Sequence, residues 1–451
     1  MFKRAIIDQL THWKNNSNRK PLILRGARQV GKTTLIKEFA KTYKQHIILN
    51  LEKSDDRSFF EQSDNVKSIV DSIFLSKNIT SKMGDTLLFI DEIQESPKAI
   101  HLLRYFYEDI PDLHVISAGS LLEFAMKNVP GFPVGRVEYL YLYPLNFLEY
   151  LEAIKHLSAI EQMNKIPMQP FAHKVLLDLF NQYAIIGGMP EVVKVFIENK
   201  YSLIGLPAIY ESIWQTYKND VEKYATNEIG RKVIKHIMAT AHFYIDKRIK
   251  FQNFGNSNYR SREVGEGLRS LDDAKIIQLI YPSTNIEIPI QADLKKSPRL
   301  QYLDTGLVNH ILGLQSEMIG LKNLSSAYKG AIVPHLVTQE LISLNSISNN
   351  KPHFWVREKK QSSSEVDLVL KYRDKIIPIE IKSGSTGSLK SLHQFIDLSN
   401  HPYAVRVYEG EFKIEKAKTP AGTPYVLMNL PYFLGTKIPE YIDYFVSNFK
   451  L

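Results

Sequence analysis

The chain contains no cysteine, so it has neither a disulfide framework nor a Cys-based zinc finger. A reducing compartment agrees with that absence. No apolar run approaches the roughly 20 residues that a helix needs to span a bilayer. The opening segment "MFKRAIIDQLTHWKNNSN" places charges on both sides of a brief apolar run and lacks the apolar core of a secretory signal. These absences set the expectation of a soluble, cytoplasmic protein without a membrane partner. The 13 histidines show no ligand spacing of the H-x-x-E-H kind, and no Ser-His-Asp arrangement is recognisable. Aromatic residues are scattered through apolar runs and read as core, not as a base-stacking platform.

What is present is the content of a globular protein, 44% hydrophobic and 23% charged over 451 residues. At roughly 150 residues per domain, that length implies about three units. The 57 Lys and Arg outnumber the 48 Asp and Glu and leave a net charge of +9, a surplus that permits contact with nucleic acid or an anionic surface without requiring it.

Between Pro21 and about Tyr143, the runs "PLILRG", "HIILNLE", "TLLFIDE" and "LHVISAGS" are each followed by segments of helical periodicity. Short apolar runs separated by helices are the pattern of buried parallel strands in an α/β sheet. From about Leu145 to Tyr224 the pattern is helical. The expected division is a parallel α/β core over 1–150, a helical lid or connector over 151–225, helices with a short strand over 226–290 and an α+β region over 291–451. In the third segment, "YRSREVGEGLRSLDDAKIIQLIYP" turns Val264, Leu268 and Leu271 inward and leaves Arg260, Arg262 and Arg269 to solvent, with the short strand "KIIQLI" behind. That helix either reads DNA, with a wing after it, or packs without touching DNA.

The most specific motif is in "LILRGARQVGKTTLIKEF", where Gly26-x-x-x-x-Gly31-Lys32-Thr33 follows a strand and opens a helix. The backbone of Gly26, Ala27, Arg28, Gln29, Val30 and Gly31 is expected to turn its N–H groups toward phosphates, with Thr34 continuing into the helix. Lys32 reaches the β and γ oxygens, and the Thr33 hydroxyl holds Mg²⁺. Asp91 and Glu92 end the apolar strand of "TLLFIDEIQ"; Asp91 is the expected partner of the metal and Glu92 the group that orients the attacking water. Ser120 ends "LHVISAGS" as a candidate polar sensor. Arg136 follows a glycine and serves either a γ-phosphate, in its own subunit or a neighbour's in a homo-oligomer, or a plain surface ion pair. ATP and Mg²⁺ are the expected cofactors.

The segments "RGARQVGKTTL", "LLFIDEIQ", "VISAGSLLEF", "GRVEYLYLYPLNFLEYL" and "IIGGMPEVV" together resemble bacterial and archaeal AAA-type ATPases whose C-terminal half is the domain of unknown function DUF4143. The resemblance extends through "SPRLQYLDTGLVNHILG" and "EVDLVL…PIEIKSG". It implies an ATPase core, a winged helix and a restriction-nuclease-like C-terminal fold. It implies no known substrate.

Within "EVDLVLKYRDKIIPIEIKSG", a turn over Tyr372 to Lys375 pairs Lys371 with Ile376 and Leu368 with Ile379, and brings Asp367 opposite Glu380. Glu380 and Lys382 share a strand face. Two carboxylates so close need solvent or a cation, and the set resembles the Asp…Glu-x-Lys core of restriction-type nucleases, with Asp367 and Glu380 as metal ligands and Lys382 beside them. Glu365 is a further acid, and Gln394 lies on the next helix. The resemblance implies a glutamate on the helix before this hairpin, where this chain has Pro334-His335; Glu340, further along, is the candidate for that partner. Three readings stay open: an ATPase whose nucleotide state acts on a nuclease-like, DNA-engaging module; a nucleotide-gated switch without nuclease chemistry; and an Mg²⁺-dependent endonuclease.

Overall fold

Apolar runs become strands wherever both of their faces are covered, and Thr86–Asp91 is buried along its whole length. The structure, a computed structural model, describes residues 2–451 except 120–121, 123–132, 134, 226, 316–329, 331, 360–361 and 385–386. The chain divides into two units. One comprises residues 1–143 with 273–275 and 345–349, and the other comprises the remainder. Among the described residues, no helix is long and apolar enough to cross a membrane.

The first unit is built on strands β1 (Leu22–Arg25), β2 (Gln45–Asn50), β3 (Thr86–Asp91), β4 (His114–Ala118) and β5 (Glu138–Tyr141), in the order β2-β3-β4-β1-β5. Every neighbouring pair is parallel. Four of these strands coincide with the four apolar runs of the sequence. The fifth lies within "GRVEYLYLYP", where alternation is weak. Ile47, Leu49, Leu88 and Ile90 pack against Ile69, Ile73, Leu103 and Phe106 of the helices Val66–Ser76 and Pro97–Asp109. Burying each such side chain contributes about 1.5–3 kcal/mol, which holds the strand ends, and the loops on them, in register.

In the second unit, helices span Phe147–Ala153, Leu157–Met163, His173–Ile186, Pro190–Glu198 and Leu206–Asn219. Several segments that carry the family resemblance meet there in one buried polar node. Glu340 accepts the Phe147 N–H at 3.1 and 3.0 Å and the Tyr183 hydroxyl at 2.8 Å. Asp304 accepts the N–H of Gly188 at 2.6 Å and of Leu307 at 3.0 Å. Burial pushes Glu340 up to about 8 and Asp304 up to about 6, against the donors that favour their charged forms. Glu340 is therefore committed to the start of the Phe147–Ala153 helix, which Asn146 also caps.

Helix Ser261–Asp273 buries Val264, Leu268 and Leu271 and leaves Arg260, Arg262 and Arg269 exposed, as its periodicity requires. After it come β6 (Ile277–Ile280), β7 (Pro282–Ser283) and β8 (Arg299–Tyr302), with β6 and β8 antiparallel. The larger sheet adds β9 (His353–Lys359), β10 (Ser362–Tyr372), β11 (Lys375–Ile381), β12 (Tyr403–Tyr408), β13 (Lys413–Lys418) and β14 (Pro424–Pro431), ordered β13-β14-β12-β11-β10-β9-β7.

The hairpin β10–β11 has the expected register, with Lys371 opposite Ile376 and Leu368 opposite Ile379. What the sequence does not show is a β-bulge against β9. Val366 pairs with Trp355 but Val369 with His353, so Asp367 and Leu368 together face one residue. At this bulge the Asp367 carboxylate, rather than the strand backbone, accepts the Ile381 N–H at 2.8 Å.

Candidate active site

The loop between β1 and helix Lys32–Ala40 lies at the carboxyl ends of the parallel strands, where open α/β sheets bind ligands. Its first glycine, Gly26, has φ +153°, and a Cβ there would lie 2.3 Å from the carbonyl oxygen of Leu142. Gly31 has φ +95° immediately before the helix. Both conformations are ones that side chains rarely adopt, so these glycines let the loop fold back over the helix N-terminus. Gln29 is left-handed as well, at φ 63°. Arg4, which sequence reasoning missed, buttresses the loop by donating to Val30 O at 3.3 Å and Tyr143 O at 2.6 Å.

Lys32 is buried, and its Nζ donates to the carbonyls of Gly26 at 2.9 Å and Ala27 at 2.8 Å. The loop thus holds the ammonium at its own mouth. Burial lowers the Lys32 pKa to about 8, with Glu92 and Asp91 opposing the shift. Thr33 Oγ1 donates to Asp91 Oδ2 at 2.8 Å, joining residues 58 apart in sequence. Burial raises the Asp91 pKa while the Thr33 hydroxyl opposes it. Thr34 is exposed in the first helical turn.

Glu92 has a left-handed backbone, φ 50° and ψ 46°. For a residue with a full side chain this is uncommon and is found preferentially at functional sites. Its Oε2 accepts from Gln94 Nε2 at 2.6 Å. Gln94 was not singled out by the sequence, although its place two residues after the acid pair in "FIDEIQ" was the available signal. Ser120 lies outside the described residues. Arg136 donates to Glu108 Oε1 at 2.9 Å across partly exposed surface, the arrangement of a surface ion pair.

In the second unit, Asp367, Glu380 and Lys382 lie on the bulged hairpin. Lys382 Nζ donates to Glu380 Oε1 at 2.6 Å. Burial and the Asp367 carboxylate push Glu380 up to about 7, with Lys382 opposing. Glu380 Oε2 is buried without a hydrogen bond. The side chain that meets Asp367 is Arg299 of β8, whose Nη2 lies 3.1 Å from Asp367 Oδ1 and whose Nη1 donates to the Asp367 carbonyl at 3.1 Å. Arg299 Nε also donates to Glu365 Oε1 at 2.8 Å. His335 is buried and bonded to Gln301, while Gln394 has a buried Oε1 without a partner.

Three stretches match known family models: residues 18–151 an AAA domain, residues 177–318 the domain of unknown function DUF8612, and residues 329–428 the domain of unknown function DUF4143. No curated protein matches the chain. Among solved structures, a Walker-type ATPase of Pyrococcus abyssi is 14% identical with a TM-score of 0.45, over 69% of this chain and 96% of that one. A signal transduction ATPase with numerous domains, carrying a tetratricopeptide repeat sensor, from Pyrococcus horikoshii is 12% identical with a TM-score of 0.28, over 76% of this chain and 46% of that one.

Proposed function

We propose that this chain, an AAA-type P-loop protein with DUF4143 toward its C-terminal end, binds ATP with Mg²⁺ and hydrolyses the nucleotide. The observation that supports this most is the hydrogen bond from Thr33 at the head of the loop helix to Asp91 at the end of β3, beside the buried Lys32. A hydroxyl and a carboxylate brought together in this way are hard oxygen donors that fit Mg²⁺. When bound, the ion supplies positive charge against the phosphate oxygens.

The protein's own groups do the rest. The loop N–H groups of residues 26–31 and the N-terminus of the helix hold phosphate oxygens, and the Lys32 ammonium exchanges its two loop carbonyls for the β and γ oxygens. Glu92 takes a proton from water as the water oxygen bonds to the γ-phosphorus; the bond to the β–γ bridging oxygen breaks, and that oxygen keeps the electron pair on ADP. Ser120 and Arg136 complete the proposed site as γ-phosphate contacts, Arg136 by leaving Glu108.

In the same reading, residues 1–150 are the ATPase core, 151–225 a lid and 226–290 a winged helix. The strand β6 directly behind helix Ser261–Asp273 supports the wing. The bulged hairpin and the parallel strand β12 beside it support a nuclease-like fold for 291–451.

Removing the base while keeping its shape separates binding from chemistry. Glu92→Gln should leave ATP affinity within about twofold and lower kcat at least about 100-fold, the usual contribution of a general base. Gln94→Ala should lower kcat roughly tenfold with affinity unchanged, because Gln94 orients Glu92 without replacing it. Steady-state phosphate release and titration with a fluorescent ATP analogue measure both. Wild-type protein that releases no phosphate from ATP would sink the hydrolase reading.

A further inference from the structure

Asp367 and Glu380 lie next to the paired Leu368 and Ile379 of the hairpin, and they resemble the acids with which restriction-type folds bind a divalent metal. Asp367 Oδ2 takes the Ile381 N–H at 2.8 Å, and Asp367 Oδ1 takes the Arg299 guanidinium at 3.1 Å. Glu380 Oε1 takes Lys382 Nζ at 2.6 Å. One oxygen of the pair, Glu380 Oε2, is buried and without a hydrogen bond. A hard divalent ion takes about six oxygen ligands, and three of the four carboxylate oxygens of this pair are already held by donors of the protein.

Arg299 is placed as a cation placed there by the fold would be. Its side chain is 8% exposed and stacks on the Phe354 ring at 4.6 Å. Its Nε and Nη2 both bond Glu365, its Nη2 bonds Asp367, and Asp246 lies 3.9 Å from Nη1. Around it, Arg248 pairs with Glu358 at 2.8 Å and approaches Glu365 at 3.7 Å, and Lys296 pairs with Glu358 at 2.5 Å. Five acids (Asp246, Glu358, Glu365, Asp367 and Glu380) thus face four bases (Arg248, Lys296, Arg299 and Lys382), and burial pushes the remaining acid, Asp246, up to about 7. A planar guanidinium that stays protonated in proteins and donates through a fixed fork suits paired carboxylates. A dication brought against Asp367 would also meet that fixed positive charge at hydrogen-bond distance.

We propose that Arg299 fills the cation position of this carboxylate cluster, so that the C-terminal region takes no divalent metal there and cuts no phosphodiester through it. The cluster works as an ion latch: the guanidinium ties strand β8 to the bulged strand β10. The bulge and the arginine act together, since the bulge sets both Asp367 oxygens against donors.

The test is Mn²⁺ binding by electron paramagnetic resonance on the full chain without nucleotide, in a Thr33→Ala background that removes the P-loop hydroxyl from the count. The expected result is no Mn²⁺ signal that depends on Asp367. Arg299→Gln should raise the uptake from none to about one Mn²⁺ per chain, and adding Asp367→Asn should abolish it again. A Mn²⁺ site in the Arg299-containing protein that Asp367→Asn removes would overturn the proposal, as would a folded Arg299→Gln variant, checked by circular dichroism, that takes up no Mn²⁺. Should Arg299→Gln fail to fold, the comparison with Arg299 in place, with and without Asp367→Asn, decides alone. Plasmid nicking in Mn²⁺ that is lost with Asp367→Asn also counts against it.

Discussion

Lys32→Ala is expected to weaken ATP binding by about 100-fold or more, because it removes the one ammonium that the phosphate loop buries at its mouth. The loss should fall on the triphosphate more than on a nucleoside, since the contacts proposed for the loop are to phosphate. Titration of a fluorescent ATP analogue against wild type and variant checks it, with circular dichroism to confirm that the sheet survives; an affinity within threefold of wild type would refute the role. The same lysine predicts a pH dependence. Burial lowers its pKa to about 8, so the free protein holds the ammonium below that value and loses it as pH rises. Phosphate binding needs the charged form, and binding therefore takes up a proton above pH 8. At pH 9, one unit above the pKa, roughly one molecule in eleven of the free protein is competent, and the apparent Kd should rise about tenfold relative to pH 7. Lys32→Ala should flatten this rise, which distinguishes it from titration of the nucleotide itself.

Features that depend on neighbours in sequence were legible without coordinates. The runs around Ile23, Leu88 and Val115 read as strands buried on both faces, and the run around Ile47 as an edge strand that buries alternate residues. Gly26 and Gly31 bracketed a loop whose backbone only glycine accommodates at those points. Thr33 and Asp91 were each legible as oxygen donors for a metal, though not as partners of each other, and the register of β10 on β11 followed from the turn. Long-range contributions were not legible. Arg299 reaches Asp367 from 68 residues away, on a strand whose pattern "RLQY" resembles any buried strand. Glu340 looked available to the hairpin but caps a helix 193 residues earlier in the chain. The bulge at Asp367 leaves no mark in the alternation of side chains, because it is a relation between β10 and β9. For Arg299 and Glu340 the deciding term is desolvation of a charge, which depends on what the fold brings against it.

That term sets the second large effect. Arg299→Met should lower stability by about 3–5 kcal/mol, the range found when one partner of a buried ion pair is removed and the other charge is left behind. Methionine keeps most of the side-chain volume against Phe354, so the loss reports charge and hydrogen bonding more than a cavity. Urea denaturation followed by tryptophan fluorescence measures it through the shift in midpoint. Neutralising the stranded acids should recover part of the loss: Arg299→Met with Glu365→Gln and Asp367→Asn is expected to be more stable than Arg299→Met alone, although both added substitutions should destabilise the wild-type background. That reversal of sign is the signature of coupled neighbours. Strict additivity, or a loss below about 1 kcal/mol for Arg299→Met, would mean that solvent screens the carboxylates and that the guanidinium is a bystander. A recovery confined to the triple variant would show instead that Arg299 is what offsets the carboxylates of β10.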